Sequence, residues 1–232
     1  MNAATQRIAV AGAAGAIEVA LDLPAESERG PRGLALIAHP HPLYAGTLDN
    51  KVVQTLARAF VTLGYLAARP NFRGVGASEG THDAGIGEVD DLLAVISHLK
   101  RAHLKRDYAL PELVLAGFSF GAFVQTHVAA RLTEAGTPVA RMVLVGTAVT
   151  RWNALPVPLG MHATTLLIHG EQDETVPLAD LFDWARPQQL PVVVIPGADH
   201  FFHRKLTLIK QLVLSACHDD PHENPDVMAS HA

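Results

Sequence analysis

The sequence predicts an α/β protein: a mostly parallel central sheet with helices on both faces and no large lid domain. Three observations carry this. Short, almost continuous apolar runs alternate with stretches of helical periodicity from residue 34 onward, and near-continuous apolar strands belong to sheets buried on both faces. Residues with chemical potential recur where those runs end, at 39–44, 71–80, Ser119, Asp173 and His200; in parallel sheets ligands sit at the carboxyl ends of the strands. Finally, 232 residues, of which 49% are hydrophobic, bury a full core without a disulfide or metal staple.

The elements follow in order. Residues 8–17 are apolar and follow Arg7, a faint likeness to a secretion-signal core. They are rich in Ala and Gly rather than Leu, however, and run on into alternating Ile17, Glu18, Val19, Ala20, Leu21 and Asp22. Two strands turning at residues 12–15 account for the pattern. A polar turn at 24–33 leads to a strand at 34–38. Residues 48–63 read as a helix, with Val52, Val53, Leu56, Ala59, Phe60 and Leu63 at helical spacing and Gly64 at the end. A strand at 65–69 stops at Pro70. A helix at 87–103 buries Val89, Leu92, Leu93, Ile96 and Leu99, while Glu88, Asp90 and Asp91 read as a solvated face that complements the helix dipole. A strand at 113–116 and a helix at 122–132 flank Ser119. Strands at 141–145, 165–169 and 191–195, a helix at 179–185 and a final helix at 202–216 complete a single domain over 1–217. The polar, Pro-bearing stretch 218–232 reads as a disordered tail.

Bulk charge narrows the function classes. Lys+Arg is 18 against Asp+Glu 23, a net charge of -5, without the clustered positive charge that nucleic-acid binding needs. No apolar run is long enough to span a bilayer, so no membrane partner is expected. The one cysteine, Cys217, excludes an internal disulfide and points to a reducing, cytoplasmic setting.

Gly117-Phe118-Ser119-Phe120-Gly121 follows a strand and opens a helix. A serine on such a sharp turn is raised above the sheet, and the flanking glycines avoid collisions with the neighbouring strand and helix. The turn also aims the N–H of Phe120 at a developing oxyanion. A serine hydroxyl needs an adjacent base. Among 13 histidines, His200 directly follows the last strand; His203 is the rival and is expected inside the final helix. The histidine needs a carboxylate to fix its tautomer. Asp173, just after the preceding strand, is favoured over Glu171, Glu174 and Asp199. For the second oxyanion donor, Pro40 and Pro42 have no N–H, which leaves His41, Leu43 and Tyr44; Leu43 is preferred and His41 comes next. The pair His39-x-His41 lacks a third ligand for a metal. Asn71 and Arg73 are expected to tie their loop together by hydrogen bonds.

These segments resemble the α/β-hydrolase superfamily. Gly-Phe-Ser-Phe-Gly, Gly-Glu-Gln-Asp-Glu-Thr-Val-Pro and Gly-Ala-Asp-His-Phe-Phe look like its three catalytic segments, and residues 71–80 like the glycine-rich loop after its fourth strand. His39-Pro40-His41-Pro42-Leu43-Tyr44-Ala45-Gly46 is similar to the oxyanion loop of a small lidless bacterial branch, that of dienelactone hydrolase. There the nucleophile is a cysteine; Ser119 in its place implies general ester chemistry. The resemblance spans about residues 8–216.

Many relatives insert a helical lid after the sixth strand. The segment from about 149 to 164, with Trp152, Pro156, Pro158 and Met161, is too short for one. His41, Tyr44, Phe118 and Trp152 are therefore expected to line an open, shallow pocket for a small-molecule ester. The resulting expectation is a cofactor-free carboxylesterase for small or short-chain esters, forming an acyl-enzyme on Ser119. Thioesterase, peptidase or perhydrolase use of the same triad are the alternatives. A non-catalytic binding module is disfavoured because no triad member or elbow glycine is missing.

Overall fold

A computed structural model describes residues 5–25, 30–104 and 110–218. The tail expected at 218–232 lies, beyond residue 218, outside them. The alternating N-terminal segment forms a hairpin: β1 (Thr5–Gly12) pairs antiparallel with β2 (Gly15–Asp22), with Gly12 opposite Gly15. Gly15 takes φ +119°, a conformation L side chains rarely adopt. The apolar runs then become β3 (Gly33–Ala38), β4 (Leu66–Pro70), β5 (Glu112–Phe118), β6 (Arg141–Val145), β7 (Thr165–Gly170) and β8 (Val192–Ile195). All eight strands join one sheet in the order β1-β2-β4-β3-β5-β6-β7-β8. Only the pairs β1/β2 and β2/β4 are antiparallel.

Among the described residues five α-helices cover the sheet: α1 (Lys51–Thr62), α2 (Ile86–Leu104), α3 (Phe120–Glu134), α4 (Leu178–Ala185) and α5 (Leu206–Cys217). The predicted apolar stripe of α1, Val52, Val53, Leu56, Ala59 and Phe60, is buried, and Asn50 caps the helix by accepting the Val52 N–H at 2.9 Å. α1 and α5 pack on one face with Phe118, Ile168 and Phe202; α2, α3 and α4 bury Leu92, Ile96, Val128 and Leu181 on the other. Among the described residues no helix is long and apolar enough to cross a membrane.

Three expectations change. Pro70 ends β4 from inside the strand, opposite Val19; at a strand end its missing N–H breaks no ladder. α5 starts at Leu206 rather than residue 202, because Phe202 (φ 53°) and Arg204 (φ 59°) are left-handed. Consecutive turns there, Phe202 N–H to Asp199 O and Lys205 N–H to Phe202 O, send the Phe202 ring into the core. His203 consequently lies outside the helix. Finally, Glu88 and Asp91 are buried rather than solvated. Glu88 accepts the N–H groups of Asp83 and Gly85, both at 2.9 Å, and so closes the entry to α2.

The topology fixes where chemistry can happen. From β3 the chain moves to β4 on one side; from β5 it moves to β6 on the other. The loops after β3 and β5 therefore part at the sheet centre and leave a crevice at the strands' carboxyl ends. Ala38 pairs with Gly117 at that edge.

Candidate active site

Ser119 sits between β5 and α3 at φ 56°, ψ −118°. That strained backbone is held on both sides: its N–H donates to Val145 O at 2.8 Å, and its carbonyl accepts from Phe123 N at 3.1 Å. The glycines of the turn are needed for space. A Cβ on Gly121 would lie 2.3 Å from Ala38 O and 2.5 Å from His39 O; one on Gly117 would meet the backbone of Gly121 and Ala122 at 2.6 Å. The β3 loop and the elbow are thus in backbone contact.

Three buried side chains from separate loops meet above this turn. Ser119 Oγ lies 3.0 Å from His200 Nε2, and His200 Nδ1 lies 2.7 Å from Asp173 Oδ2. The carboxylate can only accept, so Nδ1 carries the proton and Nε2 is left to accept from the hydroxyl. Asp173 is oriented by its own backbone, since Oδ1 accepts the N–H groups of Thr175 at 2.9 Å and Val176 at 2.8 Å. Two of the rival acids are engaged elsewhere. Glu171 accepts the Gly197 N–H at 2.7 Å, and Asp199 binds the ring and backbone N–H of His203. His203, the rival base, is thereby turned from Ser119.

The sequence reading missed His169. It is the penultimate residue of β7 and has no solvent exposure. Its Nε2 is 2.9 Å from Val176 O and 3.5 Å from Asp173 Oδ2. Both partners are acceptors, so Nε2 bears the hydrogen, and burial holds the ring's pKa below the ordinary histidine value, which keeps it neutral. His169 thus fastens the loop that presents Asp173. A histidine four residues before an acid at a strand end was the available signal, but the spacing alone does not distinguish a brace from a surface residue.

The loop after β3 corrects one expectation. Leu43 is 71% exposed, and its N–H is already donated to His41 Nδ1 at 3.2 Å. The His41 ring folds back to cap the short 3-10 turn Pro42–Tyr44, which occupies that N–H. The Tyr44 N–H likewise goes to His41 O at 3.1 Å. The N–H groups of His41 and of Phe120, the first residue of α3, have no acceptor among the described residues. His39 anchors the loop from inside. Its Nδ1–H donates to Pro40 O at 2.6 Å and its Nε2 accepts from Phe72 N at 2.9 Å. Burial pushes its pKa down to about 4, and both ring nitrogens are spent within the fold. Asn71 and Arg73 tie their loop as expected. Asn71 bridges Glu18 at 2.7 Å and the Leu48 N–H at 2.8 Å; Arg73 grips Asp91 at 2.8 and 2.9 Å.

Ser119 and His200 open into a cavity of about 620 Å³ lined also by His41, Tyr44, Arg151 and Trp152. Phe118 was expected there and is not. It is fully buried beneath His200, ring centroids 5.0 Å apart, because strand alternation turns it to the α1/α5 face. Arg151 was not anticipated. Its guanidinium lies 4.9 Å from the Trp152 ring and 5.5 Å from the Tyr44 ring, and it donates to Tyr44 Oη at 3.0 Å. The wall is thus an aromatic and cationic stack. Between β6 and β7 the only helical piece is the 3-10 segment Leu159–Thr164, so no helical lid covers the cavity.

Comparison with known proteins agrees with this architecture. The model of the Hydrolase_4 family, described as serine aminopeptidase, S33, matches residues 49–164, half of the chain. An uncharacterized protein of Rickettsia prowazekii (strain Madrid E) is 35% identical over 182 residues, covering 74% of this chain and 73% of its own. Among solved structures, a lidless α/β serine hydrolase from Xanthomonas campestris is 35% identical, with a TM-score of 0.80 over 93% of this chain and 94% of that one. An α/β serine hydrolase homologue from Coxiella burnetii is 34% identical, with a TM-score of 0.76 over 92% and 97%. With the sheet order, the elbow and these likenesses in agreement, the chain belongs to the α/β-hydrolase superfamily of serine hydrolases.

Proposed function

We propose that the protein is a carboxylic-ester hydrolase for small or short-chain acyl esters, working through an acyl-enzyme on Ser119. The observation that carries this is the continuous hydrogen-bond relay from Ser119 through His200 to Asp173, opening on an unlidded cavity. In this reading Ser119 Oγ attacks the ester carbonyl as His200 Nε2 takes its proton, and Asp173 stabilises the imidazolium. The N–H of Phe120 and the unengaged N–H of His41 receive the oxyanion, His41 replacing Leu43 in that role. His200 then protonates the leaving alcohol; water repeats the cycle and frees the acid. No step asks for a cofactor. A cytoplasmic setting goes with the single, buried Cys217.

Peptidase chemistry is the second reading, favoured by the description of the matched family as a serine aminopeptidase. Turnover of p-nitrophenyl acetate through decanoate, beside aminoacyl p-nitroanilides, separates the two. We expect the optimum at short acyl chains, loss of several orders of magnitude in Ser119→Ala, and labelling of Ser119 by a fluorophosphonate. Retained activity in Ser119→Ala overturns the assignment; faster anilide than ester hydrolysis selects the peptidase.

A further inference from the structure

The cavity holding Ser119 does not end at its own wall. A second cavity, also about 620 Å³, shares three lining residues with it: Ala45, Asn50 and Phe201. Phe201 is the partition. It follows His200 in the chain, its ring stands edge-on 5.3 Å from the imidazole, and it is 53% exposed.

Mechanism gives this partition a direction. His200 Nε2 must deliver its proton to the leaving oxygen or sulfur, so the leaving group lies on the His200 side of Ser119. That is the side where Phe201 stands. The acyl part is then left to the wall of Tyr44, Arg151 and Trp152.

The charges lining the second cavity are distinctive in a chain of net charge -5. Lys51 and Arg204 line it, and neither has a carboxylate partner among the described residues. Asp49 also lines it, but it is held by Arg7 at 3.0 Å and Arg69 at 3.4 Å. His203 is taken by Asp199. Lys51 is the first residue of α1, whose Val52 and Val53 N–H groups are already capped by Asn50, so the charge offered to the cavity is that of the two exposed side chains. Two cations without a carboxylate partner suit a dianion: lysine as a point charge, arginine as a planar fork.

We propose that this second cavity is a leaving-group subsite for an alcohol or thiol that carries a phosphate, with the phosphate between Lys51 and Arg204 and the body of the leaving group against Phe201. The proposal rests on the Ser119 reading for its direction. It adds the substrate class: acyl esters or thioesters of phosphorylated carriers.

The test compares two acetyl esters that differ in one group, 4-acetoxyphenyl phosphate and the neutral 4-methoxyphenyl acetate. For the native protein at low salt we expect a KM about tenfold lower for the phosphate ester with similar kcat. That preference shrinks toward unity in Lys51→Gln/Arg204→Gln and in about 0.5 M NaCl, where the screening length is a few ångströms. Equal kcat/KM for the two esters, or a preference untouched by the double substitution, overturns the subsite. A binding arm needs no turnover. By calorimetry, 4-hydroxyphenyl phosphate should bind Ser119→Ala about tenfold more tightly than either 4-methoxyphenol or inorganic phosphate, and lose that advantage in the Lys51→Gln/Arg204→Gln background; no measurable advantage overturns the proposal. The two readings fail separately. Ser119-dependent hydrolysis of both esters at one rate removes the subsite and leaves the esterase. Phosphate binding without any hydrolysis or fluorophosphonate labelling removes the esterase and leaves the subsite.

Discussion

Exchanging Asp173 for asparagine isolates the tautomer of His200 from every other property of the site. Oδ1 of Asp173 accepts two backbone N–H groups, from Thr175 and Val176, at 2.9 and 2.8 Å. In Asp173→Asn the amide oxygen must keep that position, because the NH₂ group cannot accept. The NH₂ is then forced toward His200 Nδ1, where Oδ2 now stands at 2.7 Å. Facing a donor, Nδ1 gives up its hydrogen and Nε2 takes one, which leaves Nε2 unable to accept the Ser119 proton 3.0 Å away. The base is lost while the loop stays capped. The expected fall in kcat is about four orders of magnitude, the size of loss found for this exchange in other serine triads, or about 5 kcal/mol of transition-state stabilisation at 1.36 kcal/mol per tenfold. The melting temperature should stay near that of the native protein, whereas Asp173→Ala, which also removes the cap, should lower it by the equivalent of about 1–2 kcal/mol. Initial rates on p-nitrophenyl acetate with parallel thermal melts decide the matter. If Asp173→Asn keeps more than about a tenth of native kcat, Asp173 is not what fixes the imidazole.

Other perturbations read separate parts of the argument. Gly121→Ala puts a Cβ 2.3 Å from Ala38 O, a backbone atom at the sheet centre; a loss of about 3 kcal/mol or more is expected in denaturant unfolding. His169→Leu should lower kcat about tenfold or more with KM nearly unchanged and displace the acidic limb of the pH–rate profile, while His169→Gln, whose NH₂ can still reach Val176 O, should recover most of it; equal losses in both would make His169 a packing residue only. His39 links stability to pH. The unfolded imidazole takes up a proton below about 6.5, whereas the buried one resists until about 4, so this contribution is complete above the unfolded value and is lost as the pH falls through the window. At 1.36 kcal/mol per pH unit it amounts to about 3 kcal/mol. Urea unfolding from pH 7 to 4 should show a shallower slope for His39→Gln than for the native chain; parallel slopes would discharge His39 from that role.

The parts legible in the sequence are those where local pattern and tertiary demand coincide. The apolar runs that became β3, β5, β6 and β7 are buried on both faces, so their composition leaves little choice of structure. Ser119, Asp173 and His200 were legible for a different reason. Each follows a strand in the parallel part of one sheet, and the common direction of those strands gathers their ends. The phenylalanine before Ser119 misled because an elbow residue suggests proximity to substrate, while strand alternation turns that side chain beneath His200. The final helix was placed four residues early because Phe202 has the right hydrophobicity for a helix start; only the left-handed φ of Phe202 and Arg204 separates turn from helix.

The oxyanion loop shows why the remainder resists reading. Elimination of the prolines left three candidate N–H groups, and nothing in residue type ranks them. The ranking comes from where one imidazole turns. Because His41 Nδ1 caps its own 3-10 turn, it engages the Leu43 N–H and leaves the N–H of His41 without an acceptor beside the cavity. That choice depends in turn on His39, whose two hydrogen bonds to Pro40 and Phe72 hold the strand exit against the elbow, and on Gly121, where a side chain would collide with Ala38 and His39. A donor's availability is thus settled by contacts between β3, the β4 loop and α3, up to 83 residues apart in the chain (from Ala38 to Gly121). Sequence supplies each participant, but the hydrogen-bond competition that frees one N–H and engages another exists only once the sheet has brought them together.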